Sequence, residues 1–274
     1  MSSWARIVEP VSKADTVRVL DELGVEHVSL RTMFNSLERC AGRDYRSRVA
    51  EACFAHASRA GDLSLVLYDV TTLYFEAENE DEYWGPNEGL RKPGFSKERR
   101  VDPQIMVGLL VDRNGFSLEV GCFEGNKAET LTILPILQDF QARHGIENLV
   151  VVLATLRVAR RFLDLGQSSK LLASRSSSRW HVEQSFRTSK ADLRARPIFH
   201  HQRDAIEAHL TVVIAALAVS RYLYQKTGIT TKKLIQILKP LREISIRMPG
   251  GQETTAKPEI TPETRKILES LKGH

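Results

Sequence analysis

The chain opens on apolar residues at helical spacing. Val19, Leu20 and Leu23 cluster after Asp15, which is placed to cap a helix, and Met33, Phe34, Leu37, Val49, Cys53 and Phe54 carry the 3.6-residue rhythm on to Ala60. A mostly helical segment over 12–60 is predicted. At Leu63 the texture changes. Leu65-Val66-Leu67-Tyr68-Asp69-Val70 is a short, dense apolar run, as expected of a central strand buried on both faces. Polar residues with Gly85, Pro86, Gly89, Pro93 and Gly94 then fill 76–103, which reads as a loop with a basic second half. Strands predicted at 105–111 and 116–123 flank Asn114-Gly115, a hairpin signal because both residues tolerate positive φ.

Further on, Ile133, Ile136, Leu137 and Phe140 predict a helix over 132–144, with Pro135 in its first turn and Gly145 ending it. Leu149–Leu153 reads as a second buried strand. A helix over 157–165, a short apolar piece at Leu171-Leu172 and a serine-rich stretch at 174–178 follow. Helices are predicted at 180–193, 204–227 and 230–241. From Pro249 the tail is polar and is expected to be mobile apart from a short terminal helix. The order is helices, strand, hairpin, helix, strand, helices, an α/β chain. Several folds share that order.

Composition narrows the picture only a little. With 274 residues, 42% of them hydrophobic and 27% charged, the chain can build one large domain or two small ones. A net charge of +5 permits a polyanionic partner without requiring one. Cys40, Cys53 and Cys122 form no CxxC pair and are odd in number, which argues against a disulfide framework and for the cytoplasm. The first residues lack the apolar core of a signal peptide. The longest apolar run, Leu210–Val219, is too short to span a bilayer, so a membrane role is not expected.

Two features could carry chemistry. Asp69 sits near the end of a buried strand, where a carboxylate needs compensation. A metal ion would supply it, and so would hydrogen bonds from the turn at Thr71 or Thr72. In the helix after the serine-rich stretch, Arg179, Glu183, Arg187 and Lys190 share one face at spacings of four, four and three, with Val182, Phe186 and Leu193 on a separate stripe. That face reads either as solvated ion pairs or as an acid beside phosphate-binding cations. The arginines at 39, 43, 46, 48 and 59 leave the same choice open, between a solvated face and a DNA-contacting one. His200, His201 and His209 have no partner at zinc-ligand spacing. No phosphate-binding loop, nucleophile elbow or dinucleotide fingerprint is present.

Several of these segments together resemble one family. Tyr68-Asp69-Val70-Thr71-Thr72-Leu73-Tyr74-Phe75-Glu76 resembles the first catalytic strand of DDE transposases of the insertion-sequence-four type. Gly94-Phe95-Ser96-Lys97, Asp102-Pro103-Gln104-Ile105, Gly108–Asp112 and Gly125-Asn126-Lys127-Ala128-Glu129-Thr130 resemble the blocks that follow. Arg179, Glu183 and Lys190 resemble the C-terminal Tyr/Arg/Glu/Lys signature, and Arg196–His200 continues the likeness. The match runs from about residue 5 to about 225. It implies an RNase H-like mixed sheet with flanking helices. It further implies three carboxylates holding two divalent metals, Mg²⁺ or Mn²⁺, that activate the attacking and stabilise the leaving oxygen. Asp69 would be the first acid and Glu183 the last, both metal ligands. Arg179, Arg187, Lys190, Lys97 and Lys127 would contact DNA. The partners implied are double-stranded terminal inverted repeats and target DNA, and the assembly allows a homodimer.

Three departures qualify the resemblance. Thr155 stands where the second acid is expected, and a hydroxyl lacks the charge to hold two divalent cations. Ser176 replaces the signature tyrosine. Glu183 follows Thr155 by only 28 positions, whereas the family carries a long β insertion there. Asp164, the nearest other acid, falls within the next expected helix. The expectation is a helical N-terminal region (1–62), an RNase H-like core shortened near 166–179 (63–227) and a helical, partly mobile tail (228–274). Cleavage and strand transfer are expected to be impaired, the alternative being a remnant that binds terminal repeats without cutting.

Overall fold

In the computed structural model of the chain, the dense apolar run is strand β1, Leu65–Tyr74, at the centre of a five-stranded sheet. The described residues are all except 1, 26–27, 62, 76–88, 95–101, 148, 154–169, 174–177, 197, 201, 242, 248–252 and 273–274. At 2, 170–173, 178–179, 244, 247 and 253 only the backbone is described. The expected helix over 157–165 and nearly all of the serine-rich stretch fall outside them.

On one side β1 pairs antiparallel with β2, Gln104–Asp112, which pairs antiparallel with β3, Ser117–Glu124. On the other it runs parallel to β4, Val150–Leu153, which runs parallel to β5, Lys170–Ala173. The sheet order is therefore β3-β2-β1-β4-β5, a mixed arrangement compatible with an RNase H-like core. The Leu171-Leu172 piece belongs to β5. Every residue of β2 is buried, as a strand covered on both faces requires.

The β2–β3 turn is held by Asp112, whose Oδ1 accepts from the backbone N–H groups of Asn114 and Phe116, both at 2.8 Å. Only Gly115 takes positive φ there, +80°. The Asp112 side chain thus replaces the two-residue positive-φ turn that Asn-Gly suggests. Burial pushes its carboxyl upward, against these two hydrogen bonds and nearby His181 and Arg113.

Helix α5, Ile133–His144, covers the sheet face that bears Tyr68. Tyr68 Oη lies 2.8 Å from Thr132 Oγ1. Gly108 and Gly121 are cross-strand partners, and a Cβ on them would fall 2.7 and 2.5 Å from Ile136 Cδ1. These two glycines let α5 approach the sheet closely.

Helix α4, Tyr45–Ala60, packs against β3, and Phe54 stacks on the His144 ring with centroids 3.9 Å apart. On the face of β3 opposite Glu119 and α5, Leu118 and Val120 line a narrow gap with Val49 of α4 and with Thr211 and Ile214 of helix α7, Arg203–Thr227. Although α7 is long and apolar enough to cross a bilayer, Ile206, Ala208, Leu210, Val213, Ala216 and Leu217 are buried within the protein, which identifies a core helix.

The helical N-terminus consists of α1, Ser2–Val8, α2, Lys13–Glu22, and α3, Leu30–Gly42, around a small core of Ala5, Val19, Leu20 and Met33. The cap of α2 is Ser12 rather than Asp15: the Ser12 Oγ accepts from Asp15 N–H. Asp15 instead occupies the first turn, where a negative charge suits the helix dipole.

The chain divides into two compact units, Met1–Ala218 and Val219–His274. The second contains the end of α7, helix α8 (Thr231–Leu238), strands β6 (Ile244–Arg247) and β7 (Glu253–Ala256), and helix α9 (Pro262–Leu271). The antiparallel β6–β7 pair corrects the expectation of a tail structured only at its terminal helix. These four-residue strands of mixed polarity fall below the length at which alternation can be read.

Candidate functional site

Asp69 stands where the burial of β1 changes. Val66, Leu67 and Tyr68 are buried, whereas Asp69, Val70, Thr71 and Thr72 are all partly exposed. The described pairing of β4 with β1 ends at Leu153 beside Tyr68. The next contact on that side is Ile198, whose N–H donates to Tyr74 O at 3.3 Å. Between them β1 has no strand partner on the β4 side among the described residues. Strand alternation turns Asp69 to the face opposite Tyr68 and α5, the face over which α7 lies.

Helix α6, Ser178–Arg187, packs against β1. Val182, Ser185 and Phe186 are buried. Ser185 Oγ donates to Gly115 O at 3.1 Å, which turns this flank toward the β2–β3 hairpin. His181 shares the flank and stands close enough to Asp112 to draw its carboxyl pKa down. At 100° per residue, Glu183 and position 179 fall on a different flank of the helix from His181 and Ser185. Glu183 and Arg187 are exposed and Lys190 is partly buried.

Beyond Arg187 the helix widens into a π-type turn over Thr188–Asp192, with Leu193 N–H donating to Thr188 O at 2.9 Å. Lys190 sits in this turn, so it leaves the strict i, i+3, i+4 face shared by Arg179, Glu183 and Arg187. The return of the chain is fixed by Arg6, whose Nη1 donates to Leu193 O at 2.8 Å, and by His209 Nε2, 3.2 Å from Ala195 O.

The other sequence candidates are dispersed. Lys127 lies just past β3, the far edge of the sheet, with its Nζ 5.4 Å from the Phe123 ring centroid. Two strand spacings, roughly 10 Å, separate β3 from β1. Lys127 is therefore not brought beside Asp69. Lys97, Thr155, Asp164 and Ser176 lie outside the described residues, as does the Arg179 side chain. The structure adds two cations at the carboxyl end of β1: Arg196 over the Tyr74 ring (5.4 Å) and Arg91 over the Phe75 ring (5.6 Å). In sequence Arg196 reads as a helix stop and Arg91 as one of several loop cations. Neither signal reveals an aromatic partner more than a dozen residues away.

Among the described residues no group of three or more histidine, cysteine, aspartate and glutamate side chains could hold a metal ion. A two-metal centre with only Asp69 and Glu183 would lack the negative charge that holds both cations. Among the described residues the arrangement offers a partly exposed Asp69 on β1 and, on the helix packed against that strand, an exposed Glu183 and Arg187.

No family model and no curated protein matches the chain. Among solved structures, a Mos1 mariner paired-end complex with Mn is 14% identical over 77% of this chain and 71% of that one, with a TM-score of 0.32. A Mos1 transposase paired-end complex with the left transposon end is 12% identical over 81% and 78%, at 0.30. A pre-cleavage Mos1 transpososome is 11% identical over 78% and 75%, at 0.28. At such scores the likeness is too loose to carry either fold or function.

Proposed function

We propose that this chain is a transposase-type protein that binds double-stranded DNA, the terminal inverted repeats of an insertion sequence and its target, and that its metal-dependent phosphodiester cleavage is impaired. The observation that carries this reading is the packing, on the strand β1 that bears Asp69, of the helix α6 that bears Glu183. The sheet order and the motifs spread over most of the chain support it. Within this reading 1–62 is a helical region, 63–227 the core and 228–274 the tail. The protein acts in the cytoplasm, as one chain or as a homodimer.

In the intact reaction Mg²⁺ or Mn²⁺ would supply the charge that stabilises the attacking and leaving oxygens. The acids among the described residues fall short of the set that such a pair of ions needs. Arg187 and Lys190 do what the chain's own residues still allow: they place phosphates beside the central strand. The second reading is a remnant that holds terminal repeats without cutting them, motivated by Thr155 in place of the second acid.

A gel shift of the element's terminal repeats tests the DNA-binding half. Binding should persist in EDTA and weaken linearly on a logarithmic salt scale. Absence of any shift at low salt would remove DNA from the account.

A further inference from the structure

A cavity of about 40 Å³ lies between the N-terminal helices and α7, away from Asp69 and Glu183. Four basic side chains line it: Arg6 of α1, Lys13 of α2, His200, and His209 of α7. None of the described lining residues is acidic. One water needs ~10–15 Å³ of such space. The cavity therefore has room for about three waters, or for one tetrahedral oxyanion in their place.

Four groups that can carry positive charge do not converge without cause. Arg6 is fixed by its bonds to the Leu193 and Arg194 carbonyls, at 2.8 and 3.1 Å. Lys13 Nζ stands 5.7 Å from the Phe34 ring centroid, and the rings of His200 and His209 have centroids 5.5 Å apart. Burial and mutual repulsion work against their charges. Desolvation pushes Arg6 down to about 10. Burial and then Arg6 lower Lys13. Burial, Arg6 and His200 hold His209 well below its ordinary value. Such a cluster is relieved by an anion that accepts from several donors at once.

We propose that this cavity is a binding site for a phosphate-type oxyanion, supplied either by a DNA backbone or by a free phosphate species. Arg6, Lys13 and His200 donate to its oxygens, and His209, tied to Ala195, braces the wall. The site does not depend on the acidic pair or on the DNA-binding reading above.

Calorimetric titration of the full chain with inorganic phosphate at constant ionic strength tests it, run in parallel on Lys13→Gln and His200→Gln. Both side chains are partly exposed, and circular dichroism checks that each variant folds. Saturable binding is expected, weakened about tenfold or more in each variant, as loss of one charge-assisted hydrogen bond implies. A competition arm with labelled duplex identifies the source. Duplex displaced by phosphate and weakened by Lys13→Gln places a DNA phosphate here. Phosphate binding without such competition places a free phosphate species here. Phosphate binding with no duplex binding at all leaves this site standing and overturns the DNA reading instead. Absence of saturable phosphate binding, or equal binding by wild type and both variants, overturns the site.

Discussion

Tyr68 of β1 and Leu153 of β4 are parallel partners, the last pair described between these strands, and Asp69 follows Tyr68. Tyr68 is buried, whereas Asp69, one position on, is partly exposed. The chain thereby keeps an acid on its central strand without burying it fully. The same alternation puts Tyr68 on the α5 face and Asp69 on the face of α7.

The Tyr68 phenol is an anchor of the α5 face. Burial raises its pKa, and Thr132 Oγ1 is its hydrogen-bond partner at 2.8 Å. Tyr68→Phe should lower stability by about 1 kcal/mol while leaving DNA binding unchanged. Urea denaturation with a parallel gel shift checks both outcomes.

Close approach of α5 needs no side chain at Gly121. Gly121→Ala would set a Cβ 2.5 Å from Ile136 Cδ1 and 2.9 Å from Phe123 Cε2. The expected loss is about 1–3 kcal/mol. Adding Ile136→Val removes the nearer atom and should restore part of it. If the double variant is less stable than the sum of the two single changes, the contact is wrongly assigned.

Glu119 pairs with Arg143 across β3 and α5, its side chain 4% exposed. Burial raises its pKa above the ordinary 4.5, while Arg143 and then Arg46 draw it back. A carboxyl raised on folding contributes most below its unfolded pKa and loses that contribution as pH rises through the folded value. Arg143→Ala should therefore cost about 3–5 kcal/mol at pH 7, where Glu119 is left charged and unpaired, and less near pH 4. Glu119→Gln in the same background should recover much of the loss at pH 7. Thermal melts at the two pH values test this.

His209 gives the opposite slope. Its folded pKa is depressed below the ordinary 6.5, first by burial and then by Arg6, His200 and Lys13. Its contribution is complete above about pH 6.5 and is lost on acidification, because the unfolded chain takes up the proton first. His209→Gln should flatten stability below that pH by up to about 1.4 kcal/mol per pH unit. An unchanged slope would show that other groups control the acid limb.

Much of this architecture is legible in the chain. The dense run at 65–70, the Asn-Gly turn and the 132–144 periodicity point to β1, the hairpin and α5 nearly to the residue, because each carries a local signal with one physical meaning. The cap of α2 lies three residues before the expected one, since Ser12 and Asp15 are both good caps and only geometry separates them. The β6–β7 pair escapes a reading of the sequence because short polar strands have no readable alternation. In the site, Asp69 and the Glu183 helix are visible as residues, but the packing of that helix on β1 is not, because it joins segments more than 100 residues apart.

The cations near α6 are expected to act through phosphate rather than base contacts. Arg187→Ala should weaken duplex binding to all sequences alike and reduce the salt slope by about one. A loss confined to one repeat sequence would assign Arg187 to base readout instead.

The central claim, binding retained with cleavage impaired, is tested most directly by incubating terminal-repeat duplex with the full chain in EDTA, Mg²⁺ and Mn²⁺ and following both complex and cut strands. The account predicts a salt-sensitive complex in all three and little or no metal-dependent cleavage. Robust cleavage in either metal, abolished by Asp69→Ala, would contradict it.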